Sequence, residues 1–210
     1  MKPAASITRI VPFGQQLLCE ILAPGDLALD LTAGNGQDIL CLWKAMEGRG
    51  RILGLDIQPR AIEKSAERLA RAGARVRALA PGERPGQECG VYLALGCHSR
   101  LRQILHERPV AVIANFGYLP GGDPKLITRT ETSLCALRQA MALLQCGGRI
   151  ALSLYPGHEG GAEEAAAVDA FFGRLPADSW RAVRFQAANI PTAPFVAAAQ
   201  KIRDAKDASA

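Results

Sequence analysis

Five short apolar runs, "LALDL", "RILGLDI", "VYLALG", "VAVIANF" and "RIALSLY", recur between Leu27 and Tyr155, separated by segments of helical length. None alternates apolar with polar residues, so none suits a sheet with one wet face. A strand that is apolar on both faces must be covered on both, and the economical solution is a parallel sheet with helices above and below. Two further runs, "WRAVRFQ" and "PFVAAAQK", are expected to pair antiparallel at one edge. The expected fold class is therefore α/β: a mostly parallel sheet with an antiparallel C-terminal hairpin and helices on both faces.

The helices carry their own punctuation. Pro59 suits the first position of one, in which Ile62, Ala66 and Leu69 share a face, Glu67 and Arg71 pair one turn apart, and Gly73 ends the run. Thr128 with Glu131 reads as a capping box before a helix with Leu134, Leu137, Met141 and Leu144 at core spacing. A third helix is expected over Ala162 to Phe172, with Glu163 and Glu164 near the positive end of its dipole.

With 210 residues, 49% of them hydrophobic, the chain can bury one core without metal or disulfide staples. A single domain over residues 1–202 is expected, with a surface insertion at 80–90 and a frayed tail from 203 to 210. The six cysteines contain no C-x-x-C pair and read as reduced, buried thiols, so no metal is expected. The first residues lack the apolar stretch of a signal peptide, and no run approaches the ~20 residues that span a bilayer. A cytoplasmic protein without a membrane partner is expected. The net charge is +5, and Arg49 to Arg108 holds twelve basic residues against six acidic ones. That bias fits a polyanion such as RNA, and fits equally a solvated arginine-rich surface.

"LALDLTAGNGQDIL" places a strand, then Asp30, then a turn with Gly34 and Gly36, then a helix start. Such a turn lets a ligand approach bare backbone and offers it free amides. Twenty residues on, Asp56 ends the run "RILGLDI", where a carboxylate can accept both hydroxyls of a ribose. A dinucleotide turn would carry a third glycine where Ile39 stands, and Asp30 and Asp38 would repel a pyrophosphate. Both carboxylates suit a ligand with a sulfonium and an ammonium, the charge pattern of S-adenosylmethionine. A nicotinamide cofactor and a purely structural turn are the alternatives.

"NFGYLPGGD" follows directly on the apolar run "VAVIA". Asn115, Tyr118 and Asp123 are more side-chain chemistry than a strand needs in order to stop. The Asn115 carbonyl can accept a hydrogen bond from an attacking amine and aim its lone pair. Tyr118 can stack on a base. Asp123, and His158 in "YPGHEGG", are the candidates for a base that deprotonates the amine. Each has a bland alternative: a turn cap for Asn115, a wall residue for Tyr118, an Asx turn for Asp123 and a structural hydrogen bond for His158. His106 and Trp180 read as structural.

"DLTAGNGQD", "GLDIQ", "NFGYLPGGD" and "LYPGHEGGAEE" follow one another in the order of the bacterial "putative rRNA methylase" family, which the chain resembles from about Pro12 to Lys201. The resemblance implies a class I S-adenosylmethionine-dependent methyltransferase fold. It also implies methylation of the exocyclic amine of 5-aminomethyl-2-thiouridine at the tRNA wobble position. By motif position, Asn35, Gly36 and Asp38 would hold the methionine end of the cofactor, Asp56 and Gln58 the ribose and adenine side, and His98 would lie beside the adenine. Gln37 stands where a histidine is common, and Phe116 where leucine is usual. The implied partner is a tRNA anticodon arm, and a homodimer would enlarge the surface offered to it. Ribosomal RNA, a small-molecule amine or a protein side chain are the competing acceptors. A cofactor-binding interaction subunit without catalysis is the competing class.

Overall fold

The apolar runs do form the strands of one sheet. The computed structural model describes residues 9–117 and 126–204. In chain order they form α1 (Ile10–Cys19), β1 (Leu27–Asp30), α2 (Gln37–Ala45), β2 (Arg51–Asp56), α3 (Pro59–Arg71), β3 (Val76–Leu79) and β4 (Gly90–Leu95). A 3-10 turn, His98–Arg100, leads into α4 (Leu101–Ile104), followed by β5 (Ala111–Phe116), α5 (Thr130–Leu143), β6 (Arg149–Leu154), α6 (Gly161–Gly173), β7 (Trp180–Phe185) and β8 (Phe195–Lys201). The strands lie in the order β3-β4-β2-β1-β5-β6-β8-β7. Strands β3, β4, β2, β1, β5 and β6 pair in parallel, while β8 runs antiparallel to both β6 and β7.

Both faces of the sheet are buried between its edge strands β3 and β7, as the unbroken apolar runs require. Leu27 and Leu29 of β1 join Val112 and Ala114 of β5 in the core beneath α5 and α6. Ala28 and Ile113, pointing the other way, join Leu18, Leu42 and Leu69 beneath α1, α2 and α3. Each fully buried leucine contributes about 1.5–3 kcal/mol. The chain leaves β1 toward β2 on one side and β5 toward β6 on the other, so the loops beyond these two neighbours diverge and open a crevice at the carboxyl ends of the strands.

Strand β3 has no counterpart among the apolar runs. It is an edge strand whose two middle residues, Arg77 and Ala78, are exposed, so its sequence needs no continuous apolar stretch. The expected capping box does not form. Helix α5 starts at Thr130 with Arg129 as its N-cap, and Thr128 is held outside the helix because its N–H donates to Gly117 O (3.0 Å). Its hydroxyl donates to Glu164 Oε2 (2.7 Å). The thiols are also a correction. All six cysteines are free, but none is buried, and Cys89 and Cys146 are exposed. Cys19 on α1 and Cys41 on α2 bring their Sγ atoms to 3.7 Å across the helix pair.

The loop at 80–90 lies mostly on the surface, held by Arg51 donating to Gly86 O (3.2 Å) and by Tyr92 donating to Glu88 O (2.7 Å). Of the arginines between Arg49 and Arg108, six are in ion pairs with carboxylates: Arg49, Arg51, Arg71, Arg75, Arg77 and Arg108. Much of the basic bias is thus neutralised locally. Among the described residues no helix is long and apolar enough to cross a membrane, and no group of three His, Cys, Asp or Glu residues is placed to hold a metal ion.

Candidate functional site

The crevice holds a cavity of about 380 Å³, lined from the ends of β1, β2, β4, β5 and β6. Asp30, fully buried and outside the cavity lining, accepts the Thr32 N–H at 2.9 Å through Oδ1, while Oδ2 has no partner among the described residues. Burial, and then the charge of Asp38, pushes its carboxyl well above the usual aspartate range. Asp38 sits in the first turn of α2, 8% exposed, and accepts from Gln15 Nε2 (2.5 Å) and from Asn115 Nδ2. Burial also raises its carboxyl, opposed by those two donors.

The glycine turn is held from below. Gly34 N–H donates to Asp56 Oδ2 (2.9 Å), Ser65 Oγ donates to Gly34 O (3.0 Å), and Arg68 Nε donates to Asn35 O (2.7 Å). Asp56 also accepts from Gln58 N–H (2.9 Å). Burial raises the Asp56 carboxyl, against the pull of these amides. With Ile57 N–H as a third backbone donor, the four lone pairs of the carboxylate still leave room for a further donor.

Asn115, at the end of β5, donates its N–H to Thr32 Oγ1 (2.8 Å). Its amide N donates to Asp38, and its Oδ1 is buried with no partner among the described residues. His98, 7% exposed, donates from Nδ1 to Leu31 O (3.2 Å), which leaves Nε2 as a buried acceptor with no partner among the described residues. Burial lowers its pKa, so the ring is neutral. The rim is apolar, with Ile57 49% and Leu126 44% exposed.

These residues fit an adenosyl sulfonium ligand on their own chemistry. Two buried carboxyl groups without an ion-pair partner among the described residues suit a ligand with two cationic centres. Asp56 suits vicinal hydroxyls, and the bare His98 Nε2 and the apolar Ile57 suit the edge and face of a purine.

The family model described as "Putative rRNA methylase" matches residues 52–201. The chain belongs to that family. It is 38% identical over 185 residues to a tRNA (mnm(5)s(2)U34)-methyltransferase, chloroplastic, of Arabidopsis thaliana, covering 84% of this chain and 64% of the relative. The chain thus spans just under two thirds of that relative's length. Among solved structures, a protein from Clostridium thermocellum described as a putative rRNA-methylase superposes with a TM-score of 0.82 at 28% identity, covering 94% of this chain and 100% of that one. A protein from Streptococcus mutans, described as a putative methyltransferase in complex with SAH, gives 0.78 at 28% identity, covering 93% and 99%. The fold is that of the class I methyltransferases.

In this member of the rRNA methylase family, Gly34, Asn35, Asp38, Asp56, Gln58, His98 and Asn115 all line the cavity, whereas Asp30 is fully buried and does not line it. Gly36 does not line it. With φ 74° it opens α2 in a left-handed conformation, and a Cβ there would stand 3.0 Å from Ser65 Cα, so this glycine serves the approach of α3. His158 is half-buried outside the cavity lining, its Nδ1 at 2.9 Å from Glu159 O and its ring against Gly117. Tyr118 and Asp123 lie outside the described residues. The sequence reading passed over Tyr155, which ends the run "RIALSLY" and lines the cavity. Burial, and then the Asp38 charge, raises its phenol. Gln15 was also passed over, and nothing local marks a residue that meets its partner 23 positions away.

Proposed function

We propose that the chain is an S-adenosylmethionine-dependent methyltransferase that methylates the exocyclic amine of 5-aminomethyl-2-thiouridine at the wobble position of tRNA. The observation that carries this reading is the bare Asn115 Oδ1 at the wall of a cavity that also contains Asp38 and Asp56. The relative from Arabidopsis thaliana, whose name specifies that wobble nucleoside, supports the acceptor.

When bound, S-adenosylmethionine supplies an electrophilic methyl group. The chain's residues supply geometry. Asp30 and Asp38 attract the cationic end, Asp56 takes the ribose, and the Gly34 turn admits the ligand close to backbone. Asn115 accepts an N–H of the acceptor amine and turns its lone pair toward the methyl group, and such orientation supplies up to about 7–11 kcal/mol of the barrier. An ammonium must lose its proton before it can attack. Desolvation in the crevice favours that loss, with Asp123 and His158 as the candidate acceptors of the proton. The anticodon arm approaches across the rim at Ile57 and Leu126. A homodimer would extend the surface that receives it. Six free cysteines fit a reducing compartment such as the cytoplasm.

The test is mass spectrometry of nucleosides from undermodified tRNA and from ribosomal RNA, each incubated with the protein and isotopically labelled cofactor. The expected product is one labelled methyl on the aminomethyl group of the wobble uridine. Label appearing only in ribosomal RNA, the acceptor in the family's description, would replace this acceptor with that one.

A further inference from the structure

One buried carboxylate lies outside the cofactor contacts. Glu164, in the first turn of α6, is 2% exposed and has no cationic partner among the described residues. Its two oxygens each take one hydroxyl: Thr128 Oγ1 donates to Oε2 (2.7 Å) and Ser133 Oγ donates to Oε1 (2.5 Å). Burying a carboxylate is costly unless its lone pairs are satisfied, and packed apolar side chains would hold two helices together as well. The gain from hydroxyl bonds is direction. These two bonds fix the start of α5 and the segment before it against α6.

That segment is a wall of the cavity. Leu126, Ile127, Thr128 and Thr132 line it, as does Gly117. Thr128 N–H donates to Gly117 O at 3.0 Å, and Gly117 stands two residues beyond Asn115. A chain of bonds therefore runs from the α6 carboxylate through Thr128 to the end of β5. The cofactor-side residues Asp30, Gly34, Asp56 and His98 belong to other segments and take no part in it.

Resting on the methyltransferase reading, we propose that Glu164 is a positioning residue: it sets the spacing between the end of β5 and the start of α5, and so the direction from which the acceptor amine reaches Asn115. Ser133, fully buried and outside the cavity lining, is the cleaner half of the clamp to remove. Glu164→Gln keeps the shape and can still bond both hydroxyls, because a hydroxyl accepts as well as donates.

The experiment combines three readouts on Glu164→Ala, Ser133→Ala and Glu164→Gln: kcat and KM for tRNA, affinity for SAH by calorimetry, and amide exchange of the 126–133 peptide. The account expects kcat to fall at least about tenfold in the two alanine variants. It also expects faster exchange of that peptide, unchanged SAH affinity, and recovery of both altered readouts in Glu164→Gln. Unchanged kcat and exchange in Ser133→Ala would overturn the proposal even if Glu164→Ala does not fold. So would loss of SAH affinity in step with kcat, or a Glu164→Gln variant no better than alanine. Should the wild-type protein methylate no tRNA, the acceptor reading fails, while the exchange of the 126–133 peptide still reports on the clamp.

Discussion

Asp38 and Asn115, 77 residues apart in the chain, are joined by a hydrogen bond from the Asn115 amide nitrogen to Asp38 Oδ2. A carboxylate can only accept, so this bond decides which way the amide points: its nitrogen faces α2 and its oxygen stays bare. On the proposed reading, the residue that would attract the cationic ligand thereby also aims the group that would receive the acceptor amine. Gln15 holds the other oxygen of Asp38 and keeps that carboxylate from turning away.

Binding of S-adenosylmethionine is expected to release protons. Burial raises the Asp30 and Asp38 carboxyls in the free protein, and a cation beside them favours the ionised form. Affinity therefore rises with pH from the ordinary aspartate range up through the raised values. Calorimetry in two buffers of different ionisation enthalpy reads the released protons. SAH, which lacks the sulfonium charge, should show the weaker dependence. An affinity that is flat with pH would remove both carboxylates from the site.

The stability of the free protein should run the other way. A carboxyl raised by burial binds its proton more tightly when folded than when unfolded. Its contribution is thus fully present below the unfolded value of 3.8 and is lost as pH rises through the raised folded value. Melting temperature in the absence of ligand is expected to decline over that window. Asp30→Asn should flatten the decline, and a melting curve with the same pH profile in that variant would contradict it.

Phe116 is the largest fully buried side chain, and His98 meets its ring edge-on at 5.7 Å between centroids. Phe116→Ala is expected to cost about 3–5 kcal/mol in denaturant unfolding, through the cavity it leaves. Phe116→Leu should cost distinctly less and preserve SAH binding. Equal losses in the two variants would mean that the ring's shape, and not its volume, holds the strand end.

Cys41 should be the reactive thiol of the pair between α1 and α2. The bond from Cys19 lowers its pKa to about 7, while Cys19 itself is pushed up. Alkylation rates mapped by mass spectrometry should show Cys41 at half its maximal rate near that pH, with Cys19 lagging. Cys19→Ala, which removes the donor to the thiolate, should move the Cys41 midpoint upward. Simultaneous modification of both thiols would argue against the bond.

Strands covered on both faces were legible because burial leaves an unbroken apolar run, as in β5 and β6. The edge strand β3 was not, because two of its four residues face water. Gly34 and Asp56 were legible from the strand-turn-helix pattern, whereas Gly36 and Gly34 look alike in sequence and differ only in what approaches them, which for Gly36 is Ser65 on another helix. Glu164 was legible as a helix-dipole residue only. Its burial follows from two hydroxyls 31 and 36 positions away. Thr128 shows the same limit in reverse: its local pattern promised a cap, and a distant carboxylate claimed its hydroxyl.

The most direct measurement compares Asn115→Ala with the wild type for single-turnover methyl transfer to tRNA and for SAH affinity, side by side. The account predicts a rate lower by about 100-fold or more, with affinity nearly unchanged, because the amide oxygen meets the acceptor and not the bound ligand. A variant that transfers methyl groups at the wild-type rate would contradict it.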